Sequence, residues 1–542
     1  ASNDPTNIDA RLQVANYYYT QQQNYQKARE ELENILHDYP NNAEAYATLG
    51  SVYYSQEKEE EAIAAFLRSL ELDPGFIRAG VTLSRIYLRQ QQAEQAQQTL
   101  ESLLRHKSES AEALAAMGTF YLETGRAHLA QDYYEKALKQ DNQHIPAYLG
   151  LAEIFLAQHA PEKAIQQIRE LQQTFREKLS LEINLRIKLI LGRAYLLQGD
   201  FRQALSQLQD VVDYLPGMLL GQYSYGMAQA GVGNFEQAIA AYKRALQIQA
   251  AHLPSMLNLA MAYYKNRNLE EALHFTNQVL TLNPEYIEAI DLRGLLLAEQ
   301  GQYEQALQQF ARAEQLANKE RANQRLQDQI RVHKVMTLVN MRQPDEAIAL
   351  MDEMIAQQRE NAELYIYLAK ANLMKGNFQA AIDHYKHAIN LNPGNVMAYT
   401  ELAHFYAAAS QFSLARQTLE PILPEYEESI DVQYALGRIY AGEQQFTEAK
   451  LALQKVVEAK PRVIEARYAL AAVHKALKDT EGAIREYEAI LHLVPGHVPS
   501  LSNLAYIMLS RADYDEALRY ADRALQYAPD NVNILEIFSA VY

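Results

Sequence analysis

The run Asn42-Ala-Glu-Ala-Tyr46-Ala-Thr-Leu49-Gly50-Ser-Val-Tyr53, followed by Glu61-Ala62-Ile63-Ala-Ala-Phe66-Leu-Arg-Ser69 and Leu72-Asp73-Pro74, decides the fold. Its apolar residues recur at helical spacing on both sides of a short polar break, so it reads as two helices joined by a turn. Proline closes the unit because it cannot continue the second helix. Aligned on the small residue that heads the second helix, the pattern returns at Ala28, Ala62, Ala96, Ala130 and Ala164, in steps of 34. After one step of 40 come Ala204, Ala238, Ala272 and Ala306; after one of 41 come Ala347, Ala381, Ala415, Ala449, Ala483 and Ala517. Fifteen alanines in one register are not chance, and internal repetition outranks other signals in a sequence.

A chain of 542 residues is too long for one ordinary core, but a repeat array escapes that limit because each unit touches only its neighbours. Half the residues are apolar and 22% are charged, which excludes a disordered chain. No apolar run approaches the length needed to span a bilayer, so direct membrane insertion is not expected. The net charge of −17 argues against nucleic acid as a ligand. With no cysteine, disulfides, thiolate metal sites and a cysteine nucleophile are excluded. The same lack suits an envelope compartment, where a stray thiol is a liability, and it also occurs in cytosolic proteins. The chain opens at Ala1 with neither a basic stretch nor an apolar leader, as expected if a signal segment has been removed or the chain is cut from a longer one.

The pattern resembles the tetratricopeptide repeat family over nearly the whole length. Gly50, Gly118, Ala152, Gly192, Gly226, Ala260, Gly294 and Gly437 stand at the family's small first-helix position. Tyr53, Tyr87, Tyr121 and Tyr195 stand at its companion aromatic, and Pro40, Pro74, Pro216, Pro284 and Pro393 close repeats. Tyrosine replaces the family's tryptophan at Tyr46, Tyr148, Tyr365 and Tyr399. The resemblance implies an all-α, right-handed α-solenoid superhelix of about fifteen helix hairpins plus a partial sixteenth. Small residues let facing helices approach, and aromatics fill the gaps between repeats.

Two insertions interrupt the period. Six residues enter between Phe175 and Ile187, where Ser180 is expected to cap a lengthened helix. Seven enter in Ala317 to Arg331, a polar helix-forming run expected to extend one helix by two turns. They divide the chain into 1–175, 176–317 and 318–528, with five, four and six repeats, followed by 529–542 as the first helix of a truncated or capping repeat. That apolar tail, with Asp4-Pro5 as an inter-repeat turn at the other end, leads us to expect a fragment of a longer protein.

The chain carries no zinc-protease His-Glu-x-x-His, phosphate-binding glycine loop, nucleophile elbow or dinucleotide fingerprint. His384 and His387 share a helix face, but no third ligand accompanies them. No catalytic, cofactor or metal residue is expected, and we read the chain as non-enzymatic. In the family the first helices line the concave surface. Carrying over its second, fifth, ninth, twelfth and thirteenth positions selects Arg78, Arg85, Arg89, Arg186, Arg193, Tyr223, Met227, Met261, Tyr264 and Met336. Met374, His404, Tyr434, Arg438 and Tyr468 continue the set, and Ile366, Leu373 and Tyr506 stand at related positions. Aromatic and methionine side chains suit extended or helical peptides, and arginine suits acidic groups. The lysine–asparagine carboxylate clamp of the family's chaperone adaptors is absent, and only Asn258 and Asn503 occupy the sixth position, where sugar-transferring relatives carry an asparagine ladder. The expected role is a scaffold for partner proteins, in the style of long bacterial repeat proteins of envelope assembly, exopolysaccharide export, secretion or pilus biogenesis. An intracellular adaptor and the interaction arm of a larger enzyme are the alternatives, and the oligomeric state is open. The register makes Ala238 a tight helix contact. Ala238→Leu is therefore expected to cost roughly 1–3 kcal/mol by overfilling it, and an unchanged melting curve would contradict the register.

Overall fold

A computed structural model describes residues 7–175, 179–357, 362–529 and 532–541. Among them every regular element is a helix. An ordinary hairpin pairs a first helix of 13 residues, such as Ala43–Ser55, with a second of 14, such as Glu59–Leu72. Fifteen such hairpins run from Ile8–Thr20 to Tyr514–Tyr527, and Val532–Val541 packs on the last pair as a sixteenth first helix would. Ile534 and Ile537 are fully buried in that contact. By contacts the chain forms two compact units, residues 1–284 with eight hairpins and 285–542 with the rest.

Several helices start on a side chain that caps them. Asn42 Oδ1 accepts the Ala45 amide at 2.8 Å, and Asn7, Ser110, Asn323 and Asn395 cap other first helices in the same way. Pro161 and Pro344 open second helices, where the missing N–H is not needed. Between the helices of every hairpin one residue turns left-handed. Gly125 and Gly199 do so without strain, at φ 77° and 76°. Glu57, Gln91, Arg267, Gln444 and Lys478 adopt φ of 60–62° at the same register despite their Cβ atoms.

The hairpin closes on a small-against-large contact. A Cβ added at Gly50, Gly118, Gly192, Gly226, Gly294 or Gly437 would lie 2.5–2.8 Å from Phe66, Tyr134, Leu208, Tyr242, Phe310 or Leu453 respectively. Each large partner stands four residues after the register alanine, itself fully buried. Phe66 and Phe310 are wholly buried, worth about 2–3 kcal/mol each. Between hairpins, Gly231 and Gly442 make room for Phe201 and Phe412 of the preceding one.

The insertions are absorbed by helix length. Leu181–Gln198 has 18 residues, and Ser180 Oγ accepts the Ile183 amide at 3.4 Å, the cap expected from sequence. Residues 176–178 of that insertion, Asp4 and Pro5 lie outside the described residues. The second insertion does not extend one helix by two turns. Tyr303–Lys319 and Gln324–Asn340 have 17 residues each, about one extra turn apiece, and a left-handed Arg321 separates them. The second lengthened helix buries Ile330, Val332 and Val335 and adds polar contacts to its neighbours. Asp291, 1% exposed, is met by His333 Nδ1 at 2.8 Å and Gln329 Nε2 at 3.0 Å. Arg331 Nε lies 2.7 Å from Glu314. In the twelfth hairpin Pro421 and Pro424 break the second helix into Phe412–Leu419, a 3₁₀ turn and Leu423–Tyr426.

The small-against-large contact and the turn make opposite demands on side-chain size. Gly294→Ala is expected to destabilise by roughly 1–3 kcal/mol, and Lys478→Gly to stabilise by about 0.5–1 kcal/mol. Chemical denaturation of both variants checks the pair, and the same sign for both would contradict the packing described.

Candidate functional site

Within each unit the first helices of neighbouring hairpins touch one another. Ile77–Arg89 meets Ala111–Glu123, which meets Ile145–Ala157; Ala362–Met374 meets Val396–Ala408, which meets Ile430–Gly442. In each unit their fifth and ninth positions therefore form a wall, and most of the sequence-selected residues stand on one or the other.

In the first unit the arginines differ in what holds them. Arg89 pairs with Glu59 and lies over the Tyr54 ring, 5.1 Å from its centroid. Arg193 Nη1 is 2.6 Å from Glu153, and Arg78 Nη2 donates to Thr48 Oγ1 at 3.1 Å. Arg85 and Arg186 are exposed and make no ion pair among the described residues. Tyr223 is half-buried; its hydroxyl accepts from Asn258 Nδ2 at 3.1 Å, and its ring stands edge-on to His252 at 5.4 Å. Met227, Met261 and Tyr264 are half-buried.

In the second unit Met374 is 49% exposed, Met336 and Leu373 are half-buried against the core, and Tyr506 is exposed. Ile366 is not a wall residue: it is fully buried in one cluster with Val332 and Val335 of the lengthened Gln324–Asn340 helix. His404 stands edge-on to Tyr434 at 5.3 Å, and Arg438 lies over that Tyr434 ring at 6.0 Å. Tyr468 accepts from Asn503 Nδ2 at 3.2 Å and is edge-on to His497 at 5.8 Å, so the Tyr223 arrangement recurs.

Sequence reading missed the histidines at the foot of the wall. His144, His252 and His497 are N-caps, with Nδ1 accepting the amides of Ala147, Ser255 and Ser500 at 3.3 Å. A ring that accepts there must be neutral, and a cation at a helix N-terminus is unfavourable. Burial lowers all three pKa values, in keeping with that role. The repeated His-x-Pro was the available signal. Asn258 and Asn503, set aside for lack of a ladder, bind the preceding repeat's tyrosine.

Among the described residues no group of three His, Asp or Glu is placed to hold a metal, and no helix is long and apolar enough to cross a membrane. Stacked helix hairpins that repeat in this way define a helical repeat array. Family models of the tetratricopeptide repeat match residues 9–42, 257–321, 334–396, 372–439, 434–498 and 500–528. The cytochrome c-type biogenesis protein H TPR domain matches 31–144, and the tetratricopeptide repeat protein 21 C-terminal ARM domain matches 134–288. The chain belongs to the tetratricopeptide repeat family. It is 26% identical over 190 residues to the cell division cycle protein 16 homolog of Mus musculus, covering 33% of this chain and 30% of that protein. The tetratricopeptide repeat-containing protein trd-1 of Caenorhabditis elegans is 25% identical over 135 residues, 25% of this chain and 18% of that one. The matched stretches thus span under a third of these relatives' lengths. Among solved structures, the crystal structure of the APC/C hetero-tetramer Cut9–Hcn1 is similar at 14% identity and a TM-score of 0.47, covering 99% of this chain and 96% of that one.

His404 is the wall's strongest titration feature. Burial, reinforced by the nearby Arg438 cation, lowers its pKa to about 4, with Glu401 and Asp431 opposing and Lys370 adding to the drop. Its Nε2 has no hydrogen-bond partner among the described residues. Because the native ring binds its proton less readily than the unfolded chain does, stability is complete above about pH 6.5 and falls as the pH drops towards 4. The loss expected from this group is about 3 kcal/mol. His404→Leu is expected to remove it, so the gap between wild-type and variant melting temperatures should shift in the variant's favour from pH 7 to pH 4.5. A gap independent of pH would contradict the burial of a neutral ring.

Proposed function

We propose that the chain is a non-enzymatic scaffold that binds partner proteins or peptides along its first-helix wall. The observation that carries this is a contrast in pairing. Arg89, Arg193 and Lys370 are held by Glu59, Glu153 and Glu401, whereas Arg85 and Arg186 are exposed on the same kind of surface without an acid. On the first helices of the same unit the half-buried Tyr223, Met227, Met261 and Tyr264, and in the second unit the exposed Met374, offer contact area that polar solvation alone does not explain. We take the two insertions as joints between the segments 1–175, 176–317 and 318–528.

For the setting, we propose envelope assembly. The lack of cysteine and the match of residues 31–144 to the cytochrome c-type biogenesis TPR domain support it. The similarity to the cell division cycle protein 16 homolog favours a second reading, an intracellular adaptor. Cell fractionation of the native host separates the two, since recovery with cytosolic markers alone would remove the envelope reading. For the binding role, charge reversal of Arg85 and Arg186, which are exposed and make no ion pair among the described residues, is expected to deplete a partner co-purified from the native host while the thermal melt stays unchanged. Undiminished recovery of every partner would remove this stretch of wall from the interaction surface.

A further inference from the structure

The wall carries the same cleft twice, once in each unit and ten hairpins apart in register. In the first, Arg85 at the ninth position of one first helix faces Glu112 at the second position of the next, above the His144 cap and Pro146. In the other, Arg438, Glu465, His497 and Pro499 stand at the same four register positions. Nothing in the repeat's packing demands this set: the register alanine and the glycine contacts lie on the buried faces, whereas Arg85, Glu112 and Glu465 are exposed. Nor do the charges satisfy one another. No ion pair joins Arg85 to Glu112 or Arg438 to Glu465, and none joins these four to any other described residue. The third His-x-Pro, at His252 and Pro254, shows the alternative. There the equivalent arginine, Arg193, is taken by Glu153, and Leu220 stands where the glutamate would be.

We propose that these two clefts are equivalent subsites, each for a short peptide segment carrying an acidic and a basic side chain on either side of an apolar one. This rests on the binding role proposed above and names the ligand chemistry of that wall. A purely acidic segment would meet Glu112 or Glu465 beside the arginine, and a purely basic one would meet the arginine itself. Only a segment with both signs satisfies both groups, the carboxylate on the guanidinium and the cation on the glutamate. The apolar residue between them lies against Val81 and Ala115 in the first cleft, of about 140 Å³. In the second, of about 520 Å³, it lies between Tyr434 and Tyr468.

Calorimetric titration of the full chain with blocked eleven-residue peptides tests this. One carries Asp-Ala-Lys at its centre, one Asp-Leu-Lys and one neutral Asn-Leu-Gln, and the charged pair is made in both chain directions. Both charged peptides are expected to bind at two sites. Arg85→Gln should reduce each to one site, weakening the lost site roughly tenfold or more, and Arg438→Gln should do the same at the other cleft. Both substituted arginines lie outside the core, and an unchanged circular dichroism melt confirms that each variant is folded. Equal binding of the neutral peptide, indifference of the leucine peptide to Arg438→Gln, or no binding of any peptide to the wild-type chain would overturn the proposal. If a native partner still co-purifies when the peptides fail, the subsites are wrong and the scaffold role stands; if neither binds, both fall.

Discussion

Much of this chain depends on one contact that recurs in most of its hairpins: a residue with little or no side chain on the first helix receives a large one from the second. Gly50 under Phe66 and Gly294 under Phe310 are the clearest cases, with no room for a methyl group. The contact sets how closely the two helices approach, and therefore where the next hairpin must sit. Because it recurs, the error at each step is small and the first helices meet their successors side by side. A wall of side chains in each unit is the geometric consequence, and it is the surface to which we assign the proposed binding role.

The wall is polar without being uniformly available. Many of its charges are spent within the array, as with Arg193 on Glu153 and Lys370 on Glu401. Tyrosines at the fifth position are steadied from the following repeat by Asn258 or Asn503 and by a histidine cap. That bracing limits the rotamers a ligand must fix, which lowers the entropic cost of binding. The same histidines tie the wall to pH, since protonation would cost them their capping role.

Much of the fold was legible because the repeat states it many times. The alanine register, the closing prolines and the Ser180 cap were all readable from local chemistry, and each is found where the pattern put it. The Pro421 and Pro424 break was legible too, but went unread because the register ran through it. The wall was harder. Position alone could not tell Ile366, sealed by the lengthened neighbouring helix, from Met374, left half in solvent. Nor could it tell Arg193 from Arg85, because Glu153 reaches Arg193 across the first insertion and no local signal marks the pair. What a residue in a repeat array does is decided by the neighbour it happens to have.

The most direct test of the central contact is a double-mutant cycle between Gly50 and Phe66, measured by chemical denaturation. Gly50→Ala alone places a methyl group into the ring, and Phe66→Leu alone leaves a gap beside a bare backbone. Combined, the two changes should partly relieve one another, with a coupling of about 0.5–3 kcal/mol in favour of the double variant. Strict additivity would contradict the account, because it would mean that the helices are spaced by something other than this pair.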